Sequence, residues 1–240
     1  MTTGYANKST VEEIRERFDK DVERFANLET GQQSTLDAPL TLELITSAAQ
    51  SVNPAATTLL DLGCGAGNYT LKMLSKVPNL SCTLVDLSLP MLQKAQERVT
   101  AETTGNIQIV QSDMRELALE PEQYDIVLAG AVLHHLRDDA DWELVFSKLY
   151  QALKPGGSFW VSDLVSHEVL EVNGMFRGKY GDYLASVGGT AYREQVLAYI
   201  EKEDSPRPVS YQLELMKKVG FSQVEVLHKN LCFAAFGGVK

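Results

Sequence analysis

The feature that most constrains the fold is the stretch 59–68, in which a short apolar run breaks into three glycines separated by single residues. A helix-like pattern follows from Tyr69 onward. This order is typical of a buried parallel strand that leads through a tight turn into a helix. Glycine suits such a turn because a ligand can approach the backbone where no Cβ intervenes. The stretch therefore predicts a nucleotide-type cofactor at the end of a strand.

The glycine spacing separates this turn from two related motifs. A dinucleotide fingerprint requires a third glycine where this chain has Asn68. The lysine and following Ser or Thr of a P-loop are also absent. The remaining pattern, Asp-x-Gly-x-Gly-x-Gly, resembles motif I of the class I S-adenosylmethionine (SAM) methyltransferases. This resemblance implies SAM as the cofactor, with binding positions at Asp61, Gly63, Cys64, Gly65 and Gly67.

The next apolar run ends in Asp86, about 20 residues after the glycine loop. A carboxylate at a strand end can accept hydrogen bonds from both hydroxyls of a ribose, and the alternative is a solvated acid. The residues that follow resemble the family pattern Asp-x-Ser-x-x-Met, here Asp86, Ser88 and Met91. We therefore expect Asp86, Leu87 and Met91 beside the cofactor.

Two later strand ends gain cofactor roles from the same resemblance. The family places an acid against the adenine amino group and the next backbone amide near the ring, which are Asp113 and Met114 here. The alternative for Asp113 is a turn-capping aspartate, because such turns are common at strand ends. After the fourth predicted strand, small residues including Gly130 would let the methionine portion of SAM lie against the strand.

The tetrad Leu-His-His-Leu at 133–136 also matches the family and offers His134 as the candidate catalytic residue. A histidine near the sulfonium could act as a general base, since imidazole titrates near neutrality. The alternative, favoured by the varied substrates of the family, is that the tetrad begins the next helix and its histidines bind backbone carbonyls. Asp163 and His167 form a second polar pair, for which we prefer loop solvation as the explanation.

Helix and strand patterns alternate after residue 57, which predicts right-handed crossovers and a parallel sheet. Near the C-terminus, apolar runs at 224–227 and 231–236 are joined by three residues, so they predict an antiparallel hairpin. With the resemblance, the predicted fold class is α/β: a doubly wound, Rossmann-like seven-stranded sheet with an antiparallel C-terminal hairpin and an N-terminal helical lid.

The N-terminal 55 residues are expected to lie outside the sheet. Thr10 and Glu13 form a capping box, and apolar residues follow at helical spacing as far as Phe25. A second helix is expected between Asp37 and Asn53. The predicted organisation is a lid at 1–55 and a SAM-binding methyltransferase domain at 56–240, with a cap insertion at about 164–208.

Net charge and cysteine content limit the classes of partner that the chain is expected to bind. The net charge of -10 argues against direct nucleic-acid or membrane binding and suits a small-molecule substrate. The three cysteines are far apart and have no metal-ligand spacing, so we predict no metal site and a cytoplasmic location. The N-terminus shows no signal-peptide profile, and no apolar run is long enough to span a membrane. A homodimer is left open.

A closer resemblance in architecture is to the carboxy-SAM synthases of tRNA wobble-uridine modification, which use SAM and prephenate. It rests on residues 18–25, the turn at 153–157 and the tail at 232–233. The chain departs from that branch because neither Arg193 nor Arg207 aligns with its cap arginine. We therefore predict a SAM-dependent methyltransferase that transfers a methyl group to a small-molecule acceptor by in-line SN2. The alternatives are a carboxy-SAM synthase and a SAM-binding protein without activity.

Overall fold

The apolar runs form a single sheet in the computed structural model, which describes residues 7–27 and 31–240. Its strands are β1 (Thr58–Leu62), β2 (Ser81–Asp86), β3 (Ile107–Gln111), β4 (Tyr124–Gly130), β5 (Leu153–Leu164), β6 (Gln223–Asn230) and β7 (Phe233–Val239). They lie in the order β3-β2-β1-β4-β5-β7-β6. Strands β1 to β5 are parallel, and β7 runs antiparallel to both β5 and β6. The predicted Rossmann-like α/β fold with its C-terminal hairpin is confirmed.

Helices flank both faces of this sheet. They are α1 (Val11–Lys20), α2 (Val22–Ala26), α3 (Ala38–Val52), α4 (Asn68–Leu74), α5 (Leu89–Thr100), α6 (Asp139–Ala152), α7 (Leu170–Glu203) and α8 (Val209–Val219). Adjacent residues of β1 show how the two cores form, since strand side chains alternate between faces. Leu59 is buried against α3, α4 and α5, while Leu60 is buried against α6 and α8. Within the described ranges, no helix combines the length and apolar character that crossing a bilayer needs.

The N-terminal helices differ in what they pack against. The capping box forms as predicted, with the Glu13 amide donating to Thr10 Oγ1 and the Thr10 amide donating to Glu13. The apolar stripe is divided between two helices, because Asp21 leaves the helical conformation at φ -109° and ψ 12°. Helix α3 contributes Ile45 to the core beneath the sheet. Helices α1 and α2 contribute residues to the cavity described below, so they are placed to act as the predicted lid. The first six residues, which carry the signal-peptide expectation, and residues 28–30 lie outside the described ranges.

One local prediction needs correction near the C-terminus. The hairpin turn is at Leu231 and Cys232, where Leu231 has a φ of 49°, rather than at residues 228–230. Those residues belong to β6, since they pair with residues 233–235 of β7, and the side chains of His228 and Asn230 both contact Asp37 Oδ2 at 2.8 Å. The cap segment is mostly helix α7, which bends where Gly189 has a φ of 80°.

Candidate functional site

A cavity of about 930 Å³ opens at the carboxyl edge of the sheet, the edge at which the parallel strands end. The ends of β1, β2, β4 and β5 line its floor, and residues of α1, α2 and α7 line its other walls. Ligands of open α/β sheets bind at this edge. The volume is at the upper end of the range of about 300–1,000 Å³ found for small-molecule sites. The cavity can therefore hold a cofactor together with a second small molecule.

The three glycines of the loop after β1 have different surroundings. All three have positive φ, 67° at Gly63, 51° at Gly65 and 83° at Gly67. A Cβ on Gly63 would lie 2.3 Å from Val132, and one on Gly67 would lie 3.2 Å from Ala95. A Cβ on Gly65 would meet no atom within 4 Å, and Gly65 lines the cavity. Gly65 is therefore the position at which a ligand can approach the backbone, whereas the other two glycines are required by packing.

Asp86, at the end of β2, contacts the glycine loop that follows β1. Its Oδ2 accepts a hydrogen bond from the Gly65 amide at 2.9 Å, and its Oδ1 accepts one from the Ser88 amide at 2.9 Å. Burial raises the pKa of this carboxyl, against the effect of those amides. Each carboxylate oxygen has a second lone pair, so Asp86 can still accept hydroxyl donors from a ligand. The environment is that of a half-buried cavity wall and differs from the alternative of a solvated strand end.

Most of the predicted cofactor residues line this cavity. They are Gly63, Cys64, Gly65, Asp86, Leu87, Met91, Asp113, Met114 and Gly130. Gly67 and Asp61 do not line it. Asp61 is buried beneath the loop, where Oδ2 accepts a hydrogen bond from Thr70 Oγ1 at 2.6 Å. Burial raises the pKa of Asp61 to about 6. The side chain of Asp61 thus ties β1 to α4, and its contact with the cofactor stays a prediction.

Asp113 and Gly130 each have a structural partner that the sequence did not reveal. The Arg115 backbone amide and Nε donate to Asp113 Oδ1 at 2.8 Å and 2.9 Å, which is the arrangement of the turn-capping alternative. Gly130 faces Tyr69, since a Cβ there would lie 2.3 Å from that ring. Its small size therefore makes room for an aromatic side chain that itself lines the cavity. Burial raises the pKa of Tyr69 to about 12, so its hydroxyl stays protonated.

The histidine tetrad forms its own 3-10 turn, Leu133–His135, and α6 begins only at Asp139. The His134 backbone amide donates to Asp163 Oδ2 at 3.0 Å, and the Nδ1 of the same residue contacts Asp163 Oδ1. On the other side, His134 Nε2 lies 3.7 Å from Asp204 Oδ1. The tetrad therefore neither starts a helix nor binds carbonyls through His134. Asp163 is 2% exposed, so the expectation of loop solvation is wrong for this residue.

The charges around the two histidines set opposite pKa directions. Burial lowers the pKa of His134, but the charges of Asp163 and Asp204 outweigh burial and raise it to about 9. Burial and the charge of His134 hold the pKa of His135 well below its usual value. Burial raises the pKa of Asp204 to about 6. A protonated imidazole cannot accept a proton, so this electrostatic setting argues against His134 as a general base, a role that stays a prediction.

His167 does not join this group. Its ring stacks on Phe176 with centroids 4.6 Å apart, and its Nε2 lies 2.9 Å from Lys229 Nζ. It also does not line the cavity. The polar pair predicted at Asp163 and His167 is therefore separated, with Asp163 inside the cavity wall and His167 outside it.

A partly buried ion pair that the sequence did not indicate joins α1 to α7. Arg17 Nη2 lies 3.0 Å from Glu203 Oε2, and the guanidinium lies 4.3 Å from the ring centroid of Tyr199. Arg17 and Glu203 are 186 positions apart in the sequence, so no local sequence pattern predicts that they pair. Arg193 and Arg207 lie outside the cavity lining and contact Asp182 and Asp139.

Comparisons with known proteins agree with this geometry. Residues 59–157 match a family described as a methyltransferase domain. The malonyl-[acyl-carrier protein] O-methyltransferase of Paenibacillus sp. is 25% identical over 71% of this chain and 61% of that protein. The carboxy-S-adenosyl-L-methionine synthase of Nautilia profundicola is 25% identical over 74% of this chain and 75% of that protein. This chain thus spans about three-fifths of the first relative.

The fold has close counterparts among solved structures. Human N-acetylserotonin methyltransferase, solved in complex with SAM, has a TM-score of 0.60 over 94% of this chain and 56% of its own, at 16% identity. The match of residues 59–157 and the methyltransferase relatives support the predicted superfamily, an enzyme and SAM as the cofactor, and the solved structures confirm the fold. The acceptor, the roles of single residues and the domain boundaries stay predictions.

Proposed function

We propose that this chain, whose residues 59–157 belong to the methyltransferase domain family, transfers a methyl group from SAM to a small-molecule acceptor held in the same cavity. The observation that carries the proposal is the pairing of Gly65 with Asp86. An open backbone position and a half-buried carboxylate lie 2.9 Å apart at the carboxyl edge of the sheet. Gly65 leaves space and backbone groups for the methionine portion of SAM, and Asp86 accepts hydrogen bonds from the ribose hydroxyls.

SAM supplies a methyl group on a positively charged sulfur, which leaves as a neutral thioether. The protein's part is to hold the acceptor in line with that bond and to exclude water. The lid and α7 supply the exclusion, because Arg17 and Glu203 hold them together over the cavity. The buried acids Asp163 and Asp204 give the far end of the cavity a polar wall, which suits an acceptor with hydrogen-bonding groups.

The test uses SAM with a deuterated methyl group and a protein-free extract of small molecules. We expect the purified chain to form S-adenosylhomocysteine only when extract is present, and mass spectrometry to detect deuterated methyl groups in a small molecule. An Asp86→Ala variant should slow both signals together. Tighter binding of NAD than of SAM in calorimetry, or label found only in macromolecules, would overturn the proposal.

The resemblance to a carboxy-SAM synthase supports one second candidate reaction. That reaction requires a cation to hold the carboxylate of prephenate, and arginine is the residue suited to it. Arg17 lines the cavity but is engaged by Glu203, and Arg115 is engaged by Asp113 and Asp141. We expect no carboxylated SAM after incubation with SAM and prephenate. Its accumulation, measured by mass spectrometry, would favour this reaction over methyl transfer.

The cellular setting is also part of the proposal. All three cysteines are free thiols, and Cys64 and Cys82 are buried. Free thiols in these positions fit the reducing cytoplasm that the sequence predicts. A non-catalytic SAM-binding role would leave the deuterated methyl group on SAM in the extract experiment while binding is retained.

A further inference from the structure

The 3-10 turn and the end of α7 bring together His134, His135 and Asp204. One potential ligand atom from each residue lies within 4.8 Å of the others, and the cluster lies in the cavity wall. Asp204 Oδ1 is 3.7 Å from His134 Nε2 and 3.4 Å from His135 Nδ1. Ligand atoms about 2.0–2.2 Å from a common ion have separations of this order. We propose that these three residues bind a divalent transition-metal ion such as Zn²⁺.

Unpartnered polar atoms at the cluster support a missing cation. Among residues 7–27 and 31–240, neither ring nitrogen of His135 has a hydrogen-bond partner of good geometry, although the Glu203 backbone lies near the ring and favours its protonated form. Asp204 Oδ1 also has none. The side chains of His135 and Asp204 are only 9% and 2% exposed. Buried polar atoms are nearly always hydrogen-bonded in native proteins. A cation between them would satisfy a nitrogen and an oxygen at once.

Asp163 holds the first ligand in the form that a metal requires. It contacts His134 Nδ1 and also accepts the His134 backbone amide at 3.0 Å, so the ring orientation is fixed. Because the pKa of His134 is about 9, Nε2 also carries a proton at neutral pH, and a metal ion would displace that proton while the one on Nδ1 stays toward Asp163. A carboxylate behind a histidine is the usual outer partner at metal sites. Together the residues form a two-histidine, one-carboxylate set, a donor combination used for Zn²⁺ and Fe²⁺.

The charges facing the cluster are compatible with a dication. Two buried carboxylates, Asp163 and Asp204, bring two negative charges that a divalent ion would balance. The neighbouring cations are already engaged: Arg17 contacts Glu203, and Arg137 donates to the backbone oxygens of Ser9 and Glu203. Lys8 donates to the Glu201 and Asp204 carbonyl oxygens. No metal was expected from sequence, because Asp204 lies 70 residues from His134 and no motif links them.

Three protein ligands leave coordination positions free on the cavity side. An ion there would bind an ionisable oxygen of the acceptor and lower its pKa. On binding, an acceptor hydroxyl would lose its proton to water. Its oxygen would then form the bond to the methyl carbon, and the electron pair of the carbon–sulfur bond would stay on sulfur. This role rests on the proposed function, whereas metal binding itself does not.

The experiment measures metal binding by the full chain, purified without a polyhistidine tag and stripped with a chelator. In calorimetry, we expect the wild type to bind about one equivalent of Zn²⁺ and Asp204→Asn to bind it at least about thirtyfold more weakly. Substitution of a residue that only supports a metal ligand already weakens metal binding about 10–100-fold, so loss of a ligand should have at least this effect. His228→Gln is the matched control, because His228 contacts Asp37 at 2.8 Å but has no third ligand. That variant should bind Zn²⁺ like the wild type.

Two readouts separate loss of the site from loss of folding. Asp204→Asn removes a buried carboxylate with an unpartnered oxygen, so its thermal midpoint without metal should not fall below that of the wild type. If the midpoint does fall, metal binding is measured instead in His135→Gln, and the visible absorption of bound Co²⁺ is compared between that variant and the wild type. Absence of Zn²⁺ binding in the wild type, or binding unchanged in both variants, would overturn the proposal. S-adenosylhomocysteine binding is measured on the same stripped protein, so a failed metal site is distinguishable from a failed cofactor site.

Discussion

Asp125 at one edge of the sheet and the pair Asp61 and Asp204 at the other differ in how completely their carboxyl groups are hydrogen-bonded. At the amino edge, where the parallel strands begin, Asp125 Oδ2 accepts hydrogen bonds from the amides and hydroxyls of Thr57 and Thr58, and it contacts Lys154 Nζ at 2.9 Å. Burial alone would raise the pKa of Asp125, but these donors outweigh burial and lower it to about 2. At the carboxyl edge, burial raises the pKa values of Asp61 and Asp204 to about 6, and each has one oxygen without a partner.

The difference indicates what each edge does. At the amino edge, the charge of Asp125 is paired, so it stabilises the fold. At the carboxyl edge, Asp61 and Asp204 are buried with incomplete pairing, which costs stability and is typical of functional sites. The loop glycines follow the same division, because Gly65 leaves open space beside Asp86 while Gly156 at the amino edge faces solvent. Substitutions at the two edges should therefore separate ligand binding from stability.

The largest effect is expected from valine at Gly65. Its φ of 51° strains a β-branched residue, and the side chain would fill space that the cofactor needs. We expect S-adenosylhomocysteine affinity to fall roughly a hundredfold, about 2.7 kcal/mol. Gly156→Val is the matched control, since Gly156 also has a positive φ of 75° and no atom within 4 Å of an added Cβ. Equal affinity loss in both variants would show that strain, rather than position, is responsible.

The second effect concerns stability at the amino edge. Asp125→Asn should lower the free energy of unfolding at neutral pH by on the order of 2 kcal/mol, while S-adenosylhomocysteine affinity is unchanged. The folded pKa of about 2 lies below the unfolded value of 3.8, so this stability is present above about pH 4 and is lost as the pH falls through 2. Urea unfolding at a series of pH values checks this. A difference between variant and wild type that stays constant from about pH 6 to 3 would contradict it.

A smaller effect is expected from the lid over the carboxyl edge. Arg17→Met leaves Glu203, whose side chain is 8% exposed, without its cationic partner, and this weakens the attachment of α1 to α7. We expect about a tenfold loss of S-adenosylhomocysteine affinity, about 1.4 kcal/mol. Partial recovery in the Arg17→Met/Glu203→Gln double variant would confirm the pair as the cause. Arg15→Met is the control, since Arg15 contacts the exposed Glu12 on the same helix. Equal losses from Arg15 and Arg17 would show that the ion pair does not hold the lid.

The same division explains how much was predictable from sequence. Gly65 and Asp86 were identified because a strand, a turn and a strand end place them by local pattern alone. The parallel sheet and the C-terminal hairpin also follow from alternation and short connections. The hairpin turn was misplaced by a few residues because residues 228–230, which are polar and read as a turn, pair with β7, and His228 also contacts Asp37, 191 positions away.

The acceptor end of the cavity could not be predicted in this way. Asp163, Asp204 and the histidines come from three segments, and only the packing of α7 against the sheet brings them together. Asp61 was assigned to the cofactor because its motif position suggested a contact, but its side chain lies beneath the loop and binds Thr70. Local patterns therefore identify residues that act through the backbone of one loop, and they miss residues that act through tertiary contacts.

The most direct measurement for the central claim is calorimetry of S-adenosylhomocysteine with the wild type, Asp86→Ala and Asp125→Asn. Asp86 should lose a charge-assisted contact of about 1.5–3 kcal/mol, so affinity should fall at least about tenfold. Asp125→Asn, folded at neutral pH as judged by circular dichroism, should bind like the wild type. Unchanged affinity in Asp86→Ala, or an equal loss in Asp125→Asn, would contradict the assignment of cofactor binding to the carboxyl edge.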